Sequence, residues 1–226
     1  MRYSFFFKTF LLGSGFLGSW ALGDGYYMKM RKQGRWILQG EGTLWDSSWA
    51  LRHIRAVEAN SPSAWIWAVY KALREEEAFQ SLHFSYTGRG DGRIIARTQE
   101  PVARVSLPLR QYYISAEMKR LPFIKPLDLP IIEAPRWDST AFEIILDFWR
   151  NNPIYYQATS RIYQDSDGIW HAYLEISPET FVLGRTEHLQ TGFAQMPVYL
   201  RSLQPKIGSF TCKTVLLYIP DQIVCQ

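Results

Sequence analysis

From Phe79 to Tyr86 the chain changes character at every step, with Leu82, Phe84 and Tyr86 on one side and Ser81, His83 and Ser85 on the other. A repeat of two sends successive side chains to opposite faces of a strand, so this segment reads as half-buried β-structure. It runs into Thr87-Gly88-Arg89-Gly90-Asp91-Gly92, and Arg93 to Arg97 then starts a second extended run. Two such runs around a glycine-rich turn predict an antiparallel hairpin. The Arg89-Gly90-Asp91 tripeptide lies inside that turn, where hairpin chemistry accounts for it without an adhesion role.

The chain before the hairpin alternates between strand and helix signals. Trp36 to Gly40 reads as a short strand ending in glycine. Trp45 to Ala59 reads as a helix, with Trp49, Ile54 and Val57 on one face and Asp46 or Ser47 as its cap. Asn60-Ser61-Pro62-Ser63 interrupts it. A second helix follows from Ser63 to Glu77, with Trp65, Val69 and Leu73 as its apolar face and Pro62 at its start. The order from Trp36 to Val105 is therefore strand, helix, helix, strand, strand. Pro101 marks where a strand leaves a sheet or runs at its edge.

The second half has a different punctuation. Pro122, Pro126, Pro130 and Pro135 divide Tyr112 to Trp137, as in a segment crossing between domains. Ser139 to Asn151 carries the stripe Phe142, Ile145, Leu146, Trp149, and Thr140 with Glu143 has the spacing of a capping box. Strands are expected over Ile154–Gln164, Ile169–Ile176 and Phe181–Leu183, with Ser177-Pro178-Glu179 as a turn. Thr186 to Leu203 reads as a helix with Leu189, Phe193, Met196 and Leu200 inward, bent or split at Pro197. Phe210–Ile219, a turn at Pro220-Asp221, and Ile223-Val224-Cys225 close the chain.

The N-terminal run Tyr3 to Gly23 carries only one charge, Lys8. A membrane helix needs about twenty mostly apolar residues, and a lysine near its end can reach the interface. The expected anchor is built on Phe5, Phe10, Leu11, Leu12, Phe16, Leu17 and Trp20. A cleaved signal peptide ending near Ser19-Trp20-Ala21 is the competing reading. Lys29, Arg31, Lys32 and Arg35 beyond the run would by themselves place that side in the cytoplasm.

Little in the chain points to chemistry. The net charge of +4 over 226 residues is spread rather than clustered, which argues against a nucleic-acid surface. His53, His83, His171 and His188 have no second ligand at metal spacing. There is no nucleophile elbow, P-loop or zincin helix, and no dinucleotide fingerprint, since Gly88-x-Gly90 leads into a strand. Asp165 and Asp167 lack the further ligands of a calcium loop. The expectation is a protein that is not an enzyme and needs no cofactor or metal. Cys212 and Cys225 read as two small buried hydrophobes, with a disulfide as the alternative.

Several short motifs together resemble the FtsQ/DivIB family of bacterial cell-division proteins. Gln39-Gly40 is similar to the end of that family's opening strand, and Phe79 to Phe84 to its next strand motif. Glu100-Pro101-Val102-Ala103 is similar to its most recognisable signature. Tyr112-Tyr113-Ile114, Leu121-Pro122 and Asp128 to Ile132 resemble the opening of its β domain, and Trp170 to Gly184 resembles a later hairpin. Val215 to Ile219 occupies the place of the last conserved strand, with Leu216 where the family has Asp and Tyr218 where it has Arg.

The resemblance implies an α+β protein of three parts. These are a short cytoplasmic start with one transmembrane helix over 1–28, a POTRA domain of order βααββ over 34–106, and a β domain over 107–226. That last domain is expected to be mixed α+β with a mainly antiparallel sheet. The implied role is a divisome scaffold in the bacterial inner membrane, its C-terminal region extracytoplasmic at the division septum. Its implied partners are FtsB- and FtsL-like single-span proteins and, through them, the septal synthase. Partner contact is expected at Tyr218, Ile219, Ile223, Val224 and Cys225, because a terminal strand leaves backbone groups unpaired. A POTRA-containing secretion factor and a secreted envelope hydrolase are the alternatives.

Overall fold

The computed structural model describes residues 16–22, 25–30, 34–55, 57, 62–87, 91–207 and 212–226. The chain divides into two units. One runs up to Glu100 and takes in Ile124–Pro126; the other comprises Pro101–Phe123 and Leu127–Gln226.

The first unit has five strands: β1 (Phe16–Leu22), β2 (Gly25–Met30), β3 (Gly34–Glu41), β4 (Phe79–Thr87) and β5 (Asp91–Thr98). They lie in the order β1-β2-β3-β5-β4. The expected hairpin is β4 and β5, and β5 also pairs parallel to β3. Parallel neighbours need a crossover, which here includes α1 (Ser47–Arg55) and α2 (Pro62–Arg74). Asp46 caps α1 by accepting the Trp49 N–H at 2.7 Å. Trp49 and Ile54 from α1 and Trp65, Val69 and Leu73 from α2 are buried with Leu38 and Ile94 of the sheet. His83 is exposed, on the polar side of β4.

The N-terminal expectation needs correction. Phe16–Leu22, the far end of the proposed membrane helix, is a strand paired antiparallel with β2. Gly15, Gly18 and Ser19 weaken a helix there, while aromatic residues favour a strand. Leu22 pairs with Gly25, and the sequence between them, Gly23-Asp24, has hairpin-turn composition. Of the proposed anchor residues, Phe16, Leu17 and Trp20 lie on β1; Phe5, Phe10, Leu11 and Leu12 lie outside the described residues. Among the described residues no helix is long and apolar enough to cross a membrane.

The second unit begins at Pro101, six residues before the expected start at 107. β6 (Pro101–Leu107) was expected to close the first domain, but it pairs with β7 (Arg110–Ser115) and β9 (Ile131–Glu133). Pro101 has no N–H to give a ladder, which suits the first residue of a strand. The proline-punctuated segment is also more ordered than its composition suggests. It contributes β7, β8 (Arg120–Pro122) and β9.

The helix α3 spans Ser139–Asn151, as its stripe indicates, but Asp138 caps it, accepting the Ala141 N–H at 3.0 Å. The expected strand at Ile154 starts later. Asn152-Pro153 opens a short helix α4 (Pro153–Ala158), proline fitting a first helical position, and β10 covers Thr159–Gln164. β11 (Trp170–Leu174) and β12 (Ser177–Gly184) follow, so Ser177-Pro178-Glu179 belongs to a strand and not to a turn.

Thr186–His188 is a 3₁₀ turn, α5 is Leu189–Val198, and Tyr199–Leu203 winds as a π-turn just after Pro197. The wider turn brings Tyr199 into the core and leaves Leu200 only partly buried. A last short helix is α6 (Gln204–Ile207). β13 (Thr214–Leu216) and β14 (Val224–Cys225) complete the sheet.

The nine strands run β14-β13-β12-β11-β10-β9-β6-β7-β8. β6–β9, β9–β10 and β12–β13 are parallel, and the remaining pairs antiparallel. One sheet face is covered by helices: Phe142, Ile145 and Trp149 of α3 and Phe193 and Met196 of α5 join Ile162, Trp170 and Phe181 in a single core. The α5–sheet approach is close at Gly192, where a Cβ would lie 2.8 Å from the Leu183 carbonyl oxygen.

Gly184 ends β12 at φ +87°, and a Cβ there would come within 2.5 Å of Tyr218 Cβ and 3.0 Å of His188 Cβ. Gly184→Ala is therefore expected to destabilise the second unit by about 1–3 kcal/mol, the usual range for a strained left-handed residue. Urea unfolding followed by circular dichroism measures this. An unchanged midpoint would mean that the glycine is not required.

Candidate partner-docking edge

The residues expected to meet a partner gather at one edge of the second sheet. β14 is the outermost strand, paired antiparallel with β13 through Val215↔Cys225 and Leu216↔Val224. Thr214 and Gln226 exchange both backbone bonds, at 3.0 and 2.9 Å. In an antiparallel ladder the doubly bonded pairs alternate with unbonded ones. Cys225 sits at an unbonded position, so its N–H and C=O point away from β13, as do those of Ile223. Among the described residues no backbone hydrogen bond engages these groups. They form the unpaired row that strand addition uses.

The side chains of β14 divide between the two faces. Ile223 packs against the core on the helix side, and Cys225 is opposite buried Val215. Val224 faces the other way, opposite Leu216, which is opposite Val182. That row continues inward through His171 to Tyr163. Tyr163 stacks on His171 with centroids 4.7 Å apart and on Tyr173 at 5.8 Å. The helix-free face thus carries an aromatic and aliphatic row that reaches the edge strand.

Tyr218 and Ile219 lie beyond β13, not on a strand. Tyr218 is half-buried against Gly184, and its ring is 6.2 Å from that of His188. Ile219 is held by its backbone: its carbonyl accepts from Gln195 Nε2 at 2.7 Å and from the Gln222 N–H at 3.2 Å. That second bond closes the Pro220-Asp221 turn, with Asp221 at φ +57°. Aspartate tolerates this left-handed conformation. The structure therefore brings Ile223, Val224 and Cys225 together as an edge and sets Tyr218 and Ile219 in the loop leading to it.

Two features of the edge were not legible as such. Cys212 and Cys225 are joined in a disulfide, with Cα atoms 5.4 Å apart, a spacing that such a bond requires. This overturns their reading as two separate hydrophobes. The second feature is Glu179, a buried carboxylate on β12. It accepts from the Ser177 hydroxyl, from Tyr199 Oη at 3.1 Å and from Gln204 Nε2 at 3.2 Å. This network ties the π-turn and α6 to the strand beside β13. Sequence reasoning placed Glu179 in a turn, where a carboxylate draws no attention.

Burial pushes Glu179 up, but the hydrogen bonds from Ser177, its own backbone, Tyr199 and Gln204 outweigh it and hold the carboxyl below its ordinary range. Tyr199 is pushed up to about 12, first by burial and then by its bond to Glu179. On the helix-free face Asp165 behaves similarly. Burial raises it, but the bonds from His171 Nε2 at 2.8 Å and from the Ile169 and Asp167 N–H groups leave it lowered. His171 is thereby tied to the Asp165 turn. Among the described residues no group of three or more His, Cys, Asp or Glu could hold a metal ion.

No family model matches the chain, and no curated protein matches it. Among solved structures, one that matches is the major extracytoplasmic domain of the trans isomer of the bacterial cell-division protein DivIB from Geobacillus stearothermophilus. The match has a TM-score of 0.32 at 14% identity, covering 46% of this chain and 93% of that one.

The Glu179 network predicts a pH dependence. A carboxyl whose folded value is depressed gives stability that is fully present above the unfolded value and is lost as pH falls through the folded one. Acidification below about pH 4.5, the ordinary Glu value, should therefore destabilise the second unit. Glu179→Gln should be less stable at neutral pH and lose less on acidification. Urea midpoints from pH 7 to pH 3 measure both; parallel curves for the two proteins would remove Glu179 from the acid response.

Proposed function

We propose that this protein is a cell-division scaffold of the bacterial envelope that works by binding and positioning other proteins. The observation that carries the reading is the terminal edge strand. β14 is the outermost strand of the second sheet, and the Ile223 and Cys225 backbone groups point outward from it. Two further features support it. The first unit has the strand, helix, helix, strand, strand order from β3 to β5 that its sequence motifs imply. The second unit is mixed α+β with a mainly antiparallel sheet, as the same resemblance implies.

In this proposal a partner adds an extended segment alongside β14. Main-chain bonds to Ile223 and Cys225 supply affinity, and side chains beside Val224 supply specificity. The partners are FtsB- and FtsL-like single-span proteins, and the site of action is the outer side of the inner membrane at the septum. Binding without catalysis is the mechanism; no cofactor enters it.

Replacing Val224 with a photo-crosslinking residue in cells tests the site. The expected product is one band joining this protein to a small single-span membrane protein, and exposed positions on β4 such as His83 should not give it. Depletion should block septation and yield undivided cells. Normal division after complete depletion, or no product anywhere along residues 222–226, would overturn the reading.

A further inference from the structure

The sheet edge is closed by a covalent bond placed where a reductant can reach it. Cys225 lies on the edge strand and is exposed, whereas Cys212 is 4% exposed within the core. The two residues are separated by 13 positions, and the loop they close contains β13, the Pro220-Asp221 turn and β14. What else holds β14 is slight. It is two residues long, with a ladder bounded by the Thr214–Gln226 pair. Pro220, Asp221, Gln222, Cys225 and Gln226 are all exposed, and Ile223 alone among these last residues packs into the core. An isolated two-residue ladder at the edge of a sheet is the kind of structure that frays.

We infer that the Cys212–Cys225 disulfide is a redox-operated latch that holds the terminal strand in place as the edge of the sheet. With the bond formed, residues 222–226 stay on β13. With the bond reduced, they leave it, and β13 becomes the edge.

The chemistry is thiol–disulfide exchange with a dithiol. One reductant thiolate attacks Cys225 Sγ, the sulfur on the exposed residue, and Cys212 leaves as a thiolate and takes up a proton. The reductant's second thiolate then attacks its own sulfur in the mixed disulfide and releases Cys225, which is also protonated. Two electrons pass from the dithiol, which becomes a disulfide, to the two cysteine sulfurs. A dithiol carries the exchange to completion, because its second thiolate resolves the mixed disulfide within the same molecule.

Latch opening has a structural readout that involves no partner. Its consequence for docking rests on the edge reading above: the outward groups at Ile223 and Cys225 exist as an ordered row only while the latch is closed.

The experiment uses the full chain, oxidised and after treatment with dithiothreitol, with thiol alkylation and mass spectrometry to establish the state of both cysteines. Amide hydrogen exchange is then measured at Thr214 and Gln226, with Ile162 and Ala172 in the middle of the sheet as reference. Cross-linking a loop of this size is worth roughly a hundredfold in the opening equilibrium. The expected result is an ~100-fold loss of protection at Thr214 and Gln226 with Ile162 and Ala172 unchanged. A Cys212→Ala/Cys225→Ala protein should show the same local loss without reductant.

Unchanged protection at Thr214 and Gln226 after complete reduction would overturn the latch. So would equal loss at Ile162 and Ala172, which would make the bond a global stabiliser. Two free thiols in the protein isolated without reductant would overturn it as well. These outcomes are independent of crosslinking at Val224. A latch that opens as expected with no partner captured would leave the latch standing and remove the docking reading.

Discussion

The organisation of the second unit depends on the burial of a single face of its sheet under α3 and α5. Phe142 and Trp170 meet edge-to-face with centroids 6.4 Å apart, and Phe193 stacks on Phe148 at 4.3 Å. Once Ile162, Ala172, Phe181 and Val215 are committed to that side, the period of two commits Tyr163, His171, Val182 and Leu216 to the other. A slip of one residue in any strand would exchange the two sets. The core therefore fixes the pairing register, and through it which backbone groups of β14 point outward. The orientation of that edge is a consequence of packing several strands away.

The terminal strand itself cannot be held by local forces alone. Ordering a residue costs about 1–2 kcal/mol in backbone entropy, while each net hydrogen bond returns about 1 kcal/mol. A ladder of two residues does not offset the ordering of the five from Gln222 to Gln226. Ile223 adds apolar burial, and the disulfide removes loop entropy worth about 3 kcal/mol for a ring of this size. The Glu179 network acts on the other side of β13, fixing β12 to Tyr199 and Gln204. Thus β13 is set between a strand anchored by a buried carboxylate and a strand anchored by a covalent bond.

Sequence periodicity served well where local pattern and tertiary packing agree. The stripe of α3 lies in the core, and the alternation of β4 leaves His83 and Ser85 exposed. It failed where pairing decides. β8 and β9 are three residues each and carry no pattern of their own; they exist because β7, β6 and β10 offer partners. Tyr155 and Tyr156 favour strands, but Pro153 at a helix start and burial of Tyr155 place them in α4. The N-terminal run was misread over Phe16–Leu22 for a related reason. Its hydropathy suits a membrane, whereas its glycines and serines leave pairing with β2 as the stronger local option. For the site, the apolar run Ile223-Val224-Cys225 after the Pro220-Asp221 turn was legible as a strand. The disulfide was not, because a separation of 13 residues carries no information about Cα distance.

An edge that serves docking faces a conflict. A long flat edge pairs indiscriminately with any extended chain, so proteins shorten, charge or cover such edges. A short edge avoids that hazard but frays, and a frayed strand offers no ordered row for a partner to match. A covalent bond on the edge strand resolves the conflict, because it gives a two-residue strand the persistence of a longer one without adding unpaired backbone. The disulfide lies on the helix side and Val224 on the other, so the bond and the proposed recognition surface occupy opposite faces of one strand. Fixing the strand therefore leaves the Val224 side chain free, and in the docking proposed above a change at Val224 would alter recognition while the strand stays in place.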